Sequence, residues 1–263
     1  MKLISFDLKA DFAFFRKPDT NATINLSYNI IHRPSVLGIL GAILGLDGYF
    51  EGYLEGYNEK RKLPQYYEIL RNVMVGIEPL NHNKGNYTKT NIKYSNTVGY
   101  ANIGTNFLTE ELTLVRPEYR IFLLLNEEDD YQKQLINSLK NGSAVFIPYF
   151  GKNEFTAWWD SDSYKEYHFY KKEIQNDSVK IRSIFYKSNI LRDNIEAPFP
   201  DLFNFEKEET PFIYFERLPK GFDLDLMQYD IAEFAYSNYL IKNAQTLDNL
   251  FFVEELNSYV QLL

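Results

Sequence analysis

The sequence predicts an α+β fold on the ferredoxin-like plan, with a long hairpin insertion and a smaller β-rich C-terminal region. Three observations carry this: the order of the periodic segments, an apolar helix that opens on proline, and a polar stretch set between two strands. Residues 1–157 run strand, helix, strand, strand, helix, strand, the order also used by RNA-recognition domains.

Lys2–Lys9 reads as the first strand, because Ile4, Phe6 and Leu8 alternate with Leu3, Ser5, Asp7 and Lys9. The loop FFRKPDTNAT follows, then an extended SYNIIH that leads to Pro34. Pro34–Leu46 predicts a helix, since proline suits the first helical position and the glycines from 45 to 48 supply a stop. Tyr49–Asn72 contains a second, more polar helical stretch, and Val73–Leu80 returns to a strand. Residues 81–107, NHNKGNYTKTNIKYSNTVGYANIGTNF, are rich in Asn, Thr, Gly and Tyr and predict a functional loop or flexible hairpin. ELTLV and EYRIFLLL read as a strand pair, Asp129–Lys140 as a helix ended by Asn141–Gly142, and SAVFIPYF as the closing strand. Residues 158–263 give the strand-like runs YHFYKKE, VKIRSIFY and PFIYFERL, with a helical tail expected around 228–247.

A chain of 263 residues with 45% hydrophobic and 24% charged side chains is globular rather than disordered. It has no cysteine, which excludes disulfides and thiolate metal sites. Asp7, Lys9 and Asp11 interrupt any signal-like apolar run, and Val36–Leu46 is far short of the roughly 20 residues that span a bilayer. The expectation is a soluble, cytoplasmic protein with no membrane contact. The net charge of −8 is unevenly spread: residues 1–125 hold 14 Lys+Arg against 12 Asp+Glu, and residues 126–263 hold 14 against 24. A local basic face therefore remains compatible with phosphate binding. The acidic runs 127–130 and 206–209 read as solvated faces, or as surfaces that meet a basic partner.

Glycines 38, 41 and 45 match neither GxxxxGK[ST] nor GxGxxG after a strand, so they are not a phosphate loop. On a helix they share one face, widened by Ala42. That bare stripe predicts a close approach, either of the chain's own sheet or of another backbone, protein or RNA. Arg33 and Ser35 flank Pro34 at the helix start, where free N–H groups and the helix dipole favour an anion.

From Pro79 to Thr109 there is no Asp or Glu, but there are Lys84, Lys89, Lys93, His82, Tyr87, Tyr94 and Tyr100. Cations interleaved with aromatic rings suit single-stranded RNA. Arg16 and Lys17 before Pro18, and Lys152 and Asn153 after Gly151, add two further basic tips. His32, His82 and His168 do not form a metal pair, and no cofactor or metal is expected. His32, Tyr49 and Lys84 are the groups that metal-free RNA cleavage could use, though nothing in the sequence draws them together.

The series FDLKADFAFFRKPDTN, RPSVLGILGAILG, PEYRIFLL and PYFGKNEFTA resembles the "Cas five" family of CRISPR-associated proteins. These are RAMP-superfamily subunits of the type I Cascade complex, and the resemblance is to the subtype I-B branch. It covers residues 1–157 well and the rest loosely. It implies a ferredoxin-like RAMP domain whose thumb hairpin falls at about 81–107. It further implies a non-catalytic subunit in antiviral defence that holds the 5′ handle of crRNA and nucleates assembly. Its partners would be the backbone RAMP subunits and the large subunit. The expected RNA-binding residues are Arg16, Lys17, Arg33, Ser35, Lys84, Tyr87, Lys89, Lys93, Lys152 and Asn153. Two alternatives stand beside this: a metal-independent endoribonuclease that processes pre-crRNA, and a purely protein-binding scaffold.

Overall fold

The structure is a computed structural model; it describes residues 1–18, 24–48, 63–95, 108–171, 174, 178–187, 197–205, 210–226 and 228–263. Tyr49, Tyr100, the expected hairpin tip and most of the expected second helix lie outside the described residues.

The main sheet is built from β1 (Lys2–Ala10), β5 (Met74–Leu80), β8 (Glu118–Leu125) and β10 (Lys165–Tyr167) in the order β10-β1-β8-β5, every neighbour antiparallel. The short β9 (Ala157–Trp158) pairs with the far end of β1. Alternation along β1 sends Ile4, Phe6 and Leu8 into one core with helices α1 (Arg33–Leu44) and α3 (Asp130–Asn141). The opposite side chains, Leu3, Phe122 and Leu124, meet Phe251, Val253, Val260 and Leu262 from β17 (Leu250–Val253), β18 (Ser258–Gln261) and the residue that follows. Gly76 makes room there, since a Cβ would lie 2.9 Å from Val260. Mutual amide bonds between Val75 and Leu263 fasten the C-terminal end to β5.

Helix α1 ends two residues before the expected Leu46, because Gly45 turns left-handed (φ 76°) and Leu46 N–H closes on Gly41 O at 2.9 Å. Asp129 caps α3 by accepting from Gln132 N–H at 2.9 Å, and Gly142 (φ 62°) ends it. Between them lies the short α2 (Gln65–Leu70).

A second sheet joins β2 (Phe12–Ala13), β3 (Phe15–Arg16), β4 (Ile24–Tyr28), β6 (Lys89–Ser95) and β7 (Leu108–Val115). β7 is its centre, antiparallel to β6 from Lys89↔Leu114 to Ser95↔Leu108, and parallel to β4. Residues 89–95 are thus a laddered strand, not an open loop.

Two sequence expectations are corrected. The run SAVFIPYF is not a strand: Val145 and Phe146 spend their amides on the last carbonyls of α1, Ile43 and Ala42 (3.1 and 3.0 Å), and Pro148 has no N–H to give. Its place beside β1 is taken by β9 and β10. Nor is 228–247 a helical tail. β15 (Gln228–Ser237) forms a long ladder with β14 (Ile213–Asp223), and β16 (Tyr239–Lys242) pairs with β13 (Phe199–Phe205). The partner strand and the aromatic residues of QYDIAEFAYS override the helical reading.

Candidate nucleic-acid interface

The hairpin is anchored at its base by a buried polar knot. Glu216 on β14 accepts from Asn29 N–H (3.0 Å), Ile30 N–H (3.0 Å) and Lys17 Nζ (3.0 Å). Asn29 Nδ2 donates to Gly85 O at 2.6 Å, and its Oδ1 accepts from Tyr87 N–H (3.0 Å) and Lys89 Nζ (3.1 Å). Tyr87 is buried, with its hydroxyl held by the carbonyls of Leu80 and Glu118. Three expected RNA contacts are therefore engaged within the fold: Tyr87 has no face to stack, half-buried Lys17 neutralises a carboxylate that would otherwise be stranded, and half-buried Lys89 is held by Asn29. Burial lowers the Lys89 pKa, with nearby Glu216 opposing it.

Above the knot, Lys84 and Gly85 (φ 52° and 82°) form a two-residue hairpin turn closed by reciprocal Asn83–Asn86 bonds of 2.8 and 3.0 Å. Lys84 is exposed there. Lys93 lies on β6 and pairs with Glu110 at 2.9 Å.

Across the second sheet, strand alternation places Arg16, Asn25 and Glu111 on one face, through the pairs Arg16↔Ser27 and Asn25↔Glu111. Lys152 joins them from the turn after Phe150. Its Nζ lies 2.8 Å from Glu111, 3.0 Å from Glu154 and 4.1 Å from the centre of the Tyr94 ring. Burial opposes its charge, but the hydrogen bonds to Glu111, Tyr94 and Glu154 outweigh it and raise its pKa. The turn admits only glycine at 151: φ is 83°, and a Cβ would overlap the carbonyl of Phe14. That turn lays the half-buried Lys152 against the sheet face and leaves Asn153 exposed, while Phe155 N–H closes on Lys152 O at 2.9 Å.

The start of α1 is not an open anion site. Arg33 donates to the carbonyls of Lys220 (3.3 Å), Val73 (3.0 Å) and Arg71, which ties α1 to β14 and to the segment after α2. His32, fully buried, caps the helix: its Nδ1 accepts from Ser35 N–H at 3.3 Å, which leaves the proton on Nε2, 3.1 Å from Ser35 Oγ. Burial pushes its pKa down to about 3. Gly38 and Gly41 of the glycine stripe face α2 rather than the chain's own sheet, and Gly45 faces Val145. Tyr66 fits against the stripe so closely that a Cβ at Gly41 would overlap Tyr66, while one at Gly38 would sit at 3.8 Å. Beside it runs a groove of about 590 Å³, walled by Ala42, Phe146, Ile147 and Tyr149.

Of the expected RNA-binding residues, Arg16, Lys84, Lys93 and Asn153 reach the surface on and around the hairpin, Lys152 is half-buried and engaged by Glu111 and Glu154, and Ser35 lines the separate groove over α1. Arg33, Lys17, Lys89 and Tyr87 serve the fold. Sequence reading missed Arg116 and Trp158, both exposed at the hairpin base. A signal for Trp158 existed: in the pair Trp158–Trp159, strand alternation exposes one ring, and Trp159 is the buried member, donating its Nε1–H to Leu139 O at 3.0 Å. Among the described residues no group of three or more His, Cys, Asp or Glu could hold a metal ion, and no helix is long and apolar enough to cross a membrane.

No protein-family model matches the chain, and no curated protein does. Among solved structures it is similar to a chain of a CRISPR RNA-guided surveillance complex, with 10% identity over 90% of this chain and 91% of that one, at a TM-score of 0.46. It is also similar to a CRISPR protein from Archaeoglobus fulgidus (12% identity, 99% and 98% covered, TM-score 0.42). A third is a chain of Type III-B Cmr-beta bound to cognate target RNA (13% identity, 93% and 87% covered, TM-score 0.47).

Proposed function

We propose that the chain is a non-catalytic, RNA-binding subunit of a CRISPR-associated ribonucleoprotein that holds the 5′ handle of the guide RNA. The observation that carries this is the face of the second sheet where Arg16, Asn25, Tyr94 and the glycine-built Lys152–Asn153 turn lie side by side. Cations beside a ring on a rigid surface suit phosphates and bases of a single strand. Lys84, exposed at the two-residue turn, adds to the basic character near the hairpin. The sequence resemblance, read with the β10-β1-β8-β5 order as a ferredoxin-like sheet, supplies the CRISPR context. The exposed Val145, Phe146 and Ile147 (61%, 53% and 75% exposed) suit contact with a neighbouring protein subunit.

The endoribonuclease alternative needs a titrating base, and His32 is a poor one: it is sealed in the core, neutral at ordinary pH and committed to its helix cap. The test is a binding titration with repeat-derived single-stranded RNA across salt concentrations, in EDTA. Arg16→Ala with Lys84→Ala should weaken binding and make the salt slope shallower by about 0.7 for each phosphate that is no longer neutralised. Unchanged affinity and slope would remove the interface, and cleavage of the RNA would favour the enzyme.

A further inference from the structure

Where β1 leaves the main sheet for β2, the surface opens into a cleft of about 1030 Å³ at the hairpin base. Two aromatic side chains line it and remain partly open, Phe12 and Trp158, each 38% exposed. Trp158 lies opposite Lys9 in the β1–β9 pairing, so both stand on the same face of the sheet, and Lys9 is taken up by Asp160 at 2.6 Å. Arg116 lines the cleft, exposed, and its guanidinium has no partner among the described residues. Its backbone is strained at φ 50°, held by Arg116 N–H donating to Asp11 O at 2.8 Å. Asn81, another lining residue, is also left-handed at φ 50°. Asn readily adopts this backbone, whereas an arginine held in it at the rim of a cavity points to use of that cavity.

We propose that this cleft takes one or two unpaired nucleotides of single-stranded RNA, with a base stacked on Trp158 or Phe12 and a phosphate on Arg116. This rests on the RNA-binding reading above. The two sites are continuous, because the Phe12 ring packs 5.9 Å from Phe155 at the end of the Lys152 turn. A strand crossing Lys152 and Asn153 therefore runs over Phe12 into the cleft. Every base offers a π face, so stacking there tolerates sequence. Asp11 and Glu118 also line the cleft and can only accept hydrogen bonds when ionised. They repel phosphate towards Arg116 and leave ribose hydroxyls or base amino groups facing the carboxylates.

The test is fluorescence anisotropy of a short fluorescein-labelled single-stranded RNA with the full chain. Trp158→Ala should weaken binding roughly five- to a hundredfold, and Trp158→Tyr, which keeps a ring, should restore most of it. Arg116→Asn removes the cation with a residue that tolerates the left-handed backbone, and should make the salt slope shallower by about 0.7. A melt of each variant identifies any that unfolds; Arg116→Asn then decides for Trp158→Ala. If Trp158→Ala and Arg116→Asn bind like the parent while Arg16→Ala and Asn153→Ala bind weakly, the cleft proposal is overturned and the interface stands. If the parent itself binds no RNA, both fall.

Discussion

Two glycines one turn apart in α1 should respond to the same substitution with opposite sign. At Gly38 an alanine Cβ would rest 3.8 Å from the Tyr66 ring, an ordinary contact. Gly38→Ala therefore keeps the full gain in helix propensity, about 1 kcal/mol. At Gly41 the added Cβ overlaps Tyr66 Cβ and comes within 3.0 Å of its Cγ. Overpacking costs about 1–3 kcal/mol, so Gly41→Ala loses the propensity gain and more. The variants should differ by about 2 kcal/mol, which for a chain of this size is roughly 6 °C in Tm. Gly38→Ala should melt above the parent and Gly41→Ala at or below it. Differential scanning calorimetry on the isolated chain reads this directly. Truncating Tyr66 to alanine should not rescue Gly41→Ala, since the conflicting Cβ remains. If both glycine variants stabilise equally, the stripe is not packed against α2, and the account of why these glycines are needed is wrong.

Burial holds the His32 pKa at about 3 in the folded chain against roughly 6.5 unfolded, so the unfolded state binds the extra proton between those values. Stability from this group is complete above about pH 6.5 and falls as pH drops towards 3, by up to about 1.4 kcal/mol per unit; His32→Asn, a cap that does not titrate, should flatten that part of the urea-melt pH profile, and parallel curves would refute it. Glu216→Gln should cost roughly 3 kcal/mol in chemical denaturation, because two backbone donors and Lys17 share that carboxylate; a loss below about 1 kcal/mol would mean the knot is dispensable. Hydrogen exchange of the isolated chain should show protected amides at Tyr87 and at the alternate β6 positions that bond to β7, and fast exchange there would return the segment to the open loop that composition suggests. Gly151→Ala should lower both Tm and RNA affinity, since the turn must move off Phe14; an unchanged Tm would contradict the close approach.

The elements legible in the sequence were those whose signals are local. β1, α1, β5, β8 and α3 fall within one or two residues of expectation, because periodicity, Pro34, Asp129 and the terminal glycines all act within a turn of where they stand. SAVFIPYF failed because its amides go to α1, a use that no pattern within the run records. The site was less legible for the same reason. A lysine's availability depends on where the carboxylates fold to, and Glu216 reaches Asn29 from 187 positions away. A net charge of −8 makes such pairing common, so counting lysines in the hairpin overstated its open positive charge. Arg16 and Lys84 escape it because, among the described residues, no carboxylate folds against either of them.

The same knot changes how the hairpin can work. From composition alone, an insertion rich in Asn, Thr and Gly is expected to be ordered only on assembly, at about 1–2 kcal/mol of backbone entropy per residue fixed. Here the ladder from Lys89 to Ser95, the Asn29 bonds to Gly85 and Tyr87, and the Lys152–Glu111 pair hold its base within the isolated chain. That entropy is already lost on folding, so an RNA meeting this face finds Arg16, Tyr94 and Lys152 prealigned rather than having to order them. The anchor comes from β14, far beyond the region that carries the sequence resemblance. The C-terminal residues thus support the candidate interface through what they hold in place, even though few of the candidate contacts lie among them.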